Sequence, residues 1–219
     1  MGIPLSWNLY KPLIWPYIRS VQGTKNFPKD RPFIAVANHA SYLDDFLVPY
    51  TVVTATDKPF SIFINSRFYK NPLTNWYLNL FYQIPVDVGK DAKDKKKRGQ
   101  NNTEAMKRAV SWLHEGNPFI IFPEGTRSDD GKLKKGKPGA ARLALLAKVP
   151  IVPIGVLGSY DILPKGKTLP RFGRVDIKVG KPISFKQYHG KHKDEKLLLR
   201  LTATIMKEIA ALTGQRYDP

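Results

Sequence analysis

Short apolar runs, each bounded by proline or a polar turn, limit the folds open to this chain more than any other feature. They occupy residues 33–37 (Phe-Ile-Ala-Val-Ala), 59–64 (Pro-Phe-Ser-Ile-Phe-Ile), 119–122 (Phe-Ile-Ile-Phe) and 149–154 (Val-Pro-Ile-Val-Pro-Ile). Runs of this length, rich in β-branched and aromatic residues, read as strands. The unbroken one at 119–122 is of the kind buried on both faces of a sheet. Residues 84–88 form a short extended piece. Residues 174–179 (Arg-Val-Asp-Ile-Lys-Val) alternate, as a half-exposed strand does.

Helical patterns fall between these runs. Asp44 opens a helix through Tyr50, an acid in a first turn suiting the helix dipole. Residues 66–81 are helical in part. A helix from about 99 to 115 carries the stripe Met106, Ala109, Val110 and Leu113, and Gly116 stops it. A short Ala/Leu helix fills 139–148. Leu198, Leu201, Ile205, Ile209 and Leu212 give the last helix its apolar face. Strands alternating with helices predict a single α/β domain, a mostly parallel central sheet flanked by helices. Such sheets bind ligands at the carboxyl ends of their strands. His39, Glu124 and Arg127 all follow strand ends, so one crevice can hold them.

Residues 1–22 stand apart from the domain expected over 23–219. They hold Trp7, Tyr10, Leu13, Ile14, Trp15, Tyr17 and Ile18, with Lys11 and Arg19, and Pro12 and Pro16 prevent one long regular helix. Indole and phenol rings favour the lipid headgroup level, which fits an interfacial anchor; a helix packed on the protein's own core fits as well. Met1-Gly2-Ile3-Pro4-Leu5-Ser6 matches the bare myristoylation pattern. The net charge of +18 attracts polyanions: nucleic acid, anionic lipid or phosphorylated small molecules. A run of lysines at 90, 93, 95, 96 and 97 reads as a solvated loop and also suits anionic lipid.

The chemistry-bearing stretch is Asn38-His39-Ala40-Ser41-Tyr42-Leu43-Asp44. His39 and Asp44 fit a base and its orienting acid; a turn histidine and a helix-start acid, the commoner occurrence, fit too. On one continuous helix the two lie about 140° apart, so they meet only with His39 in the turn and Asp44 in the first helical turn. Other chemistries are absent. There is no cysteine, hence no disulfide, thiolate metal site or cysteine nucleophile. There is no Gly-x-Ser-x-Gly elbow. Residues 131–137 match phosphate-loop spacing, but Pro138 replaces the Ser/Thr that holds magnesium. The histidines at 39, 114, 189 and 192 have no metal-ligand spacing, and no nucleic-acid motif accompanies the basic charge.

Phe122-Pro123-Glu124-Gly125-Thr126-Arg127-Ser128 is the more specific block. With Asn38-His39-x4-Asp44 before it and Val149-Pro150-Ile151-Val152-Pro153 after it, the chain resembles the glycerolipid acyltransferase (PlsC-like) family over about residues 23–181. The resemblance implies His39 as the general base for a glycerol hydroxyl and Asp44 as the acid that orients it. It implies Glu124, Gly125, Thr126 and Arg127 as the acceptor-binding residues, Arg127 contacting phosphate. Asn38 and Ser41 support the turn. It implies acyl-CoA or acyl-carrier protein as co-substrate, no cofactor and no metal, a lysophospholipid acceptor, an anionic membrane surface as partner and no nucleic acid. The implied product is phosphatidic acid, or another lipid if the acceptor differs. The implied location is the cytoplasmic face of a membrane, held peripherally or by an interfacial anchor. One family block departs: its glycine is Tyr82, its phosphate-binding arginine is Val88, and the lysine usual near the second strand is Asn65. Arg67, Lys70 and Lys90 are the nearby cations.

Overall fold

The computed structural model describes residues 7–80, 82–88 and 95–218. The pattern at 1–6, Phe81 and the lysines at 90 and 93 lie outside the described residues. In chain order the elements are α1 (Trp7–Ile14), β1 (Ile18–Gln22), β2 (Ile34–Ala37), α2 (Asp44–Thr56), β3 (Ser61–Asn65), α3 (Pro72–Leu80), β4 (Ile84–Val86), α4 (Lys95–His114), β5 (Phe119–Ile121), α5 (Gly139–Ala147), β6 (Ile151–Leu157), α6 (Ser159–Ile162), β7 (Val175–Val179) and α7 (Glu195–Thr213). The strands form one seven-stranded sheet in the order β1-β7-β6-β2-β5-β3-β4. From β6 to β4 all neighbours are parallel. β7 runs antiparallel to β6, and β1 parallel to β7. The chain is a single α/β domain with a mostly parallel sheet flanked by helices.

The composition of β2 explains its central place. Ile34, Ala35, Val36 and Ala37 are all fully buried. Ile34 and Val36 face a core completed by α4, α5 and α7; Ala35 and Ala37 face one completed by α2 and β7. A strand covered on both faces has no polar side, hence the unbroken apolar run. Each large side chain so buried contributes about 1.5–3 kcal/mol. The amphipathic α7 buries Leu198, Leu201, Ile205, Met206 and Ile209 in the first of these cores.

Two boundaries differ from the sequence reading. Ile18–Gln22, read from sequence as part of the N-terminal segment, is an edge strand of the sheet, preceded among the described residues by α1 and a 3-10 turn. Its Ile-Arg-Ser-Val-Gln is too polar to read as a strand; Ile18 and Val21 pack on the core, the backbone pairs with β7, and the polar side chains add bonds of their own. Arg19 Nε and Ser20 Oγ donate to Asp176 Oδ1 on β7 at 2.9 and 2.7 Å, and Arg19 also pairs with Oδ2. These bonds hold the Asp176 carboxyl down to about 2. The second difference is α4, which starts at Lys95 rather than near 99 and takes the end of the lysine run into its first turn.

Candidate active site

Strand β2 ends at Ala37, and the next six residues turn back before α2 begins at Asp44. Asn38 fixes the start of this turn. Its amide donates to the Val156 carbonyl at 2.9 Å and accepts from the Val156 N–H at 2.8 Å, carrying the β2–β6 ladder one residue past the strand. Ser41 fixes the far side: its Oγ donates to the Leu163 carbonyl at 2.7 Å and accepts from the Leu43 N–H at 3.1 Å. Both residues therefore support the turn, as expected.

Asp44 is fully buried at the first position of α2. Its Oδ2 accepts from the Ala40 and Ser41 N–H groups, each at 2.7 Å, and lies 3.4 Å from His39 Nδ1. His39 thus sits in the turn and Asp44 in the first helical turn, the one arrangement that lets them meet. Asp44 Oδ1 has no hydrogen-bond partner among the described residues. A buried carboxylate beside Nδ1 favours the tautomer with its proton there, leaving the Nε2 lone pair to take a proton. The imidazole is nearly buried and stacks on Phe122, with ring centroids 4.0 Å apart and planes 14° from parallel.

The loop after β5 supplies the other half of the site. Glu124 is buried, and both its oxygens are used by backbone: Oε1 accepts from the His39 N–H at 2.8 Å and Oε2 from the Lys134 N–H at 2.9 Å. The Ser128 N–H donates to the His39 carbonyl at 2.8 Å. Glu124 and Ser128 therefore clamp the His39 peptide from both sides. Burial pushes the Glu124 carboxyl up, and its two N–H donors oppose that rise. Gly125 has φ +65°, a left-handed conformation that favours glycine. Thr126 is exposed beside it.

Arg127 reaches across to α2. Its Nη2 donates to Asp45 Oδ2 at 2.8 Å, and its guanidinium lies over the Tyr42 ring, 3.9 Å from the centroid. Its buried Nε has no hydrogen-bond partner among the described residues. Asp45 Oδ1 is 3.7 Å from His39 Nε2, so this one carboxylate stands between His39 and Arg127. Arg127, Asp45 and Tyr42 also line one part of a cavity of about 350 Å³. The remaining lining is mostly apolar, with Phe46, Pro49, Phe60, Ile62, Ile64 and Leu78.

His39, Asp44, Glu124, Gly125 and Arg127 are thus brought together, with Thr126 at the edge. The sequence reading passed over Asp45, Tyr42 and the ring contact of Phe122. The doubled acid Asp44-Asp45 was the available signal, because neighbours 100° apart at a helix start can face a base and a cation respectively. At the departing family block, Val88 lies just past β4, and Asp87 beside it is engaged by Ser66, Asn101 and Asn102. Arg67 lies over the ring of Phe68, another cavity residue, with its Cζ 4.9 Å from the centroid.

Fold and site together define an α/β domain with a histidine–aspartate pair and a glutamate–arginine loop at the carboxyl ends of neighbouring parallel strands. The chain belongs to the acyltransferase family, whose model matches residues 18–157. It is 30% identical over 173 residues to a chloroplastic 1-acyl-sn-glycerol-3-phosphate acyltransferase of Arabidopsis thaliana, covering 78% of this chain and 45% of that one. It is 33% identical over 174 residues to the 1-acyl-sn-glycerol-3-phosphate acyltransferase of Saccharomyces cerevisiae, covering 75% of this chain and 51% of that one. The chain thus spans about half the length of these relatives. The crystal structure of the 1-acyl-sn-glycerophosphate acyltransferase PlsC from Thermotoga maritima matches it with a TM-score of 0.66 at 26% identity, covering 97% of this chain and 80% of that one.

Proposed function

We propose that this chain moves a fatty acyl group from acyl-CoA or acyl-carrier protein to the free hydroxyl of lysophosphatidic acid, giving phosphatidic acid. The observation that carries the reading is the His39–Asp44 pair beside Arg127 and an apolar cavity. His39 Nε2 takes the hydroxyl proton as that oxygen bonds to the thioester carbonyl carbon. The carbon–sulfur bond then breaks, and the imidazolium returns the proton to the leaving thiolate. Asp44 stabilises the imidazolium between these steps. The cavity takes an apolar chain, and the acceptor phosphate replaces Asp45 on Arg127, whose unpartnered Nε then gains an acceptor. Glu124 acts through the backbone, setting the position of His39. Arg67, over the ring of the cavity residue Phe68, is a candidate to stand in for the arginine missing at Val88.

The location proposed with it is peripheral docking on an anionic membrane surface at the cytoplasmic face; the exposed Leu13 and Trp15 ahead of β1 support the lipid contact. Among the described residues no helix is long and apolar enough to cross a membrane. Val88 at the departing block favours one second reading: the same chemistry on another lysophospholipid or a glycolipid.

A panel of acceptors tests the assignment. Lysophosphatidic acid should be preferred over acceptors that lack a phosphomonoester. Arg127→Ala should lower kcat/KM for it by roughly 10- to 100-fold, the contribution of a charge-assisted bond pair. Asp45→Asn, which removes the competing carboxylate, should move the acceptor KM downward. Equal rates on phosphorylated and unphosphorylated acceptors would transfer the assignment to the second reading.

A further inference from the structure

Residues 163–174, between α6 and β7, read Leu-Pro-Lys-Gly-Lys-Thr-Leu-Pro-Arg-Phe-Gly-Arg: four cations and no acid. Leu169 is 81% exposed and Phe172 fully exposed. Large apolar side chains standing in water among cations have the composition of an interface-seeking segment.

The sheet register sets where this loop stands. β7 is antiparallel to β6, so its first residue, Val175, lies at the carboxyl end of the parallel strands, the end that carries His39 and Arg127. β1 is parallel to β7, with Ile18 opposite Val175. Trp15 and Phe172 therefore each precede a paired strand start by three residues, and they leave the same end of adjacent strands. Leu13, Trp15, Phe46, Phe68, Leu169 and Phe172, all exposed, belong to segments at that end. Trp76 on α3 and Leu199 on α7 are the other exposed large hydrophobic residues among those described.

The base of the loop is tied to the catalytic turn. The Leu163 carbonyl accepts from Ser41 Oγ at 2.7 Å and from the Tyr42 N–H at 3.2 Å. Lys165 Nζ bonds Asp129 Oδ1 at 2.7 Å, in the loop that follows Arg127. The Arg171 N–H donates to the Ile162 carbonyl at 2.8 Å, closing the loop on itself.

We propose that residues 163–174 form a lipid-docking loop. Leu169 and Phe172 insert at the headgroup level of an anionic bilayer, Lys167, Arg171 and Arg174 attract its phosphates, and the loop works beside Leu13 and Trp15 as a second contact. Through Leu163 it sets the His39 turn at a fixed height above the lipid, so an acceptor reaches the base without leaving the membrane. This rests on the lysophospholipid reading for its purpose, not for its physical content. An acidic carrier protein would also meet the cations; the two protruding apolar side chains favour lipid.

The test uses the full chain with vesicles of phosphatidylcholine, with and without phosphatidylglycerol. The double variant Leu169→Ser, Phe172→Ser should bind mixed vesicles roughly tenfold or more weakly, as loss of two interfacial side chains requires. Its melting temperature, and its rate on a short-chain acceptor dispersed as monomers, should be unchanged. Arg171→Glu should remove much of the gain from phosphatidylglycerol. Unchanged vesicle binding in the double variant overturns the proposal even if acyl transfer is intact. So does an equal loss of rate on vesicle-borne and monomeric acceptors, or a loss seen only with a carrier-protein donor. Weakened vesicle binding in a chain that transfers no acyl group to any acceptor would leave the docking loop standing and remove the functional reading instead.

Discussion

His39→Ala should lower acyl transfer by about 10²- to 10⁴-fold, the range for removal of a positioned general base. The fold should survive, because the chain at residue 39 is held through its backbone. The His39 N–H goes to Glu124 and its carbonyl accepts from Ser128, and neither bond needs the imidazole. What the ring itself loses is its stack on Phe122 and its contact with Asp44. Substrate affinity should change little, since Arg127 and the cavity are untouched, so the loss falls on kcat. Steady-state rates beside a thermal melt check both halves.

Two substitutions at Asp44 should separate structure from chemistry. In Asp44→Ala, the N–H groups of Ala40 and Ser41 lose their acceptor in a buried turn. Each unsatisfied buried group costs about 1–3 kcal/mol, so the protein should melt measurably lower and be nearly inactive. Asp44→Asn keeps an oxygen at the Oδ2 position for those donors, with its NH₂ in the place of Oδ1, which has no partner among the described residues. Its melting temperature should lie close to that of the unaltered protein. Its carbonyl holds the same tautomer but carries no charge to stabilise the imidazolium, so transfer should fall by roughly 10²- to 10⁴-fold. A stable and fully active Asp44→Asn would remove Asp44 from the chemistry and leave it a turn-former.

The parts of this molecule that the sequence announces are those where one physical requirement dominates. β2 and β5 lie under helices on both faces and are apolar throughout, so their positions are plain. The His39 turn is readable because a strand end and an acidic helix start lie only a few residues apart. β1 is hidden because its two apolar residues, Ile18 and Val21, are three apart among polar ones and show no alternation, while its polar side chains find Asp176 only in the folded sheet. Glu124 shows the same limit at the site. The resemblance implies contact with substrate; the carboxylate also accepts two backbone N–H groups in a buried loop, partners that only the folded chain brings to it. For Asp45 the doubled acid is the only sequence signal, and its partners, residues 39 and 127, meet only in three dimensions.

Single-turnover mixing of the purified chain with acyl-CoA tests most directly whether His39 acts on the acceptor hydroxyl. With acceptor withheld, no thiol burst should appear and the intact protein mass should stay unchanged, because no covalent acyl-enzyme forms. On adding lysophosphatidic acid, free thiol and phosphatidic acid should rise together, one for one, and His39→Ala should slow both by about 10²- to 10⁴-fold. An acylated protein formed before acceptor arrives, or His39→Ala releasing thiol and product at the unaltered rate, would contradict the account.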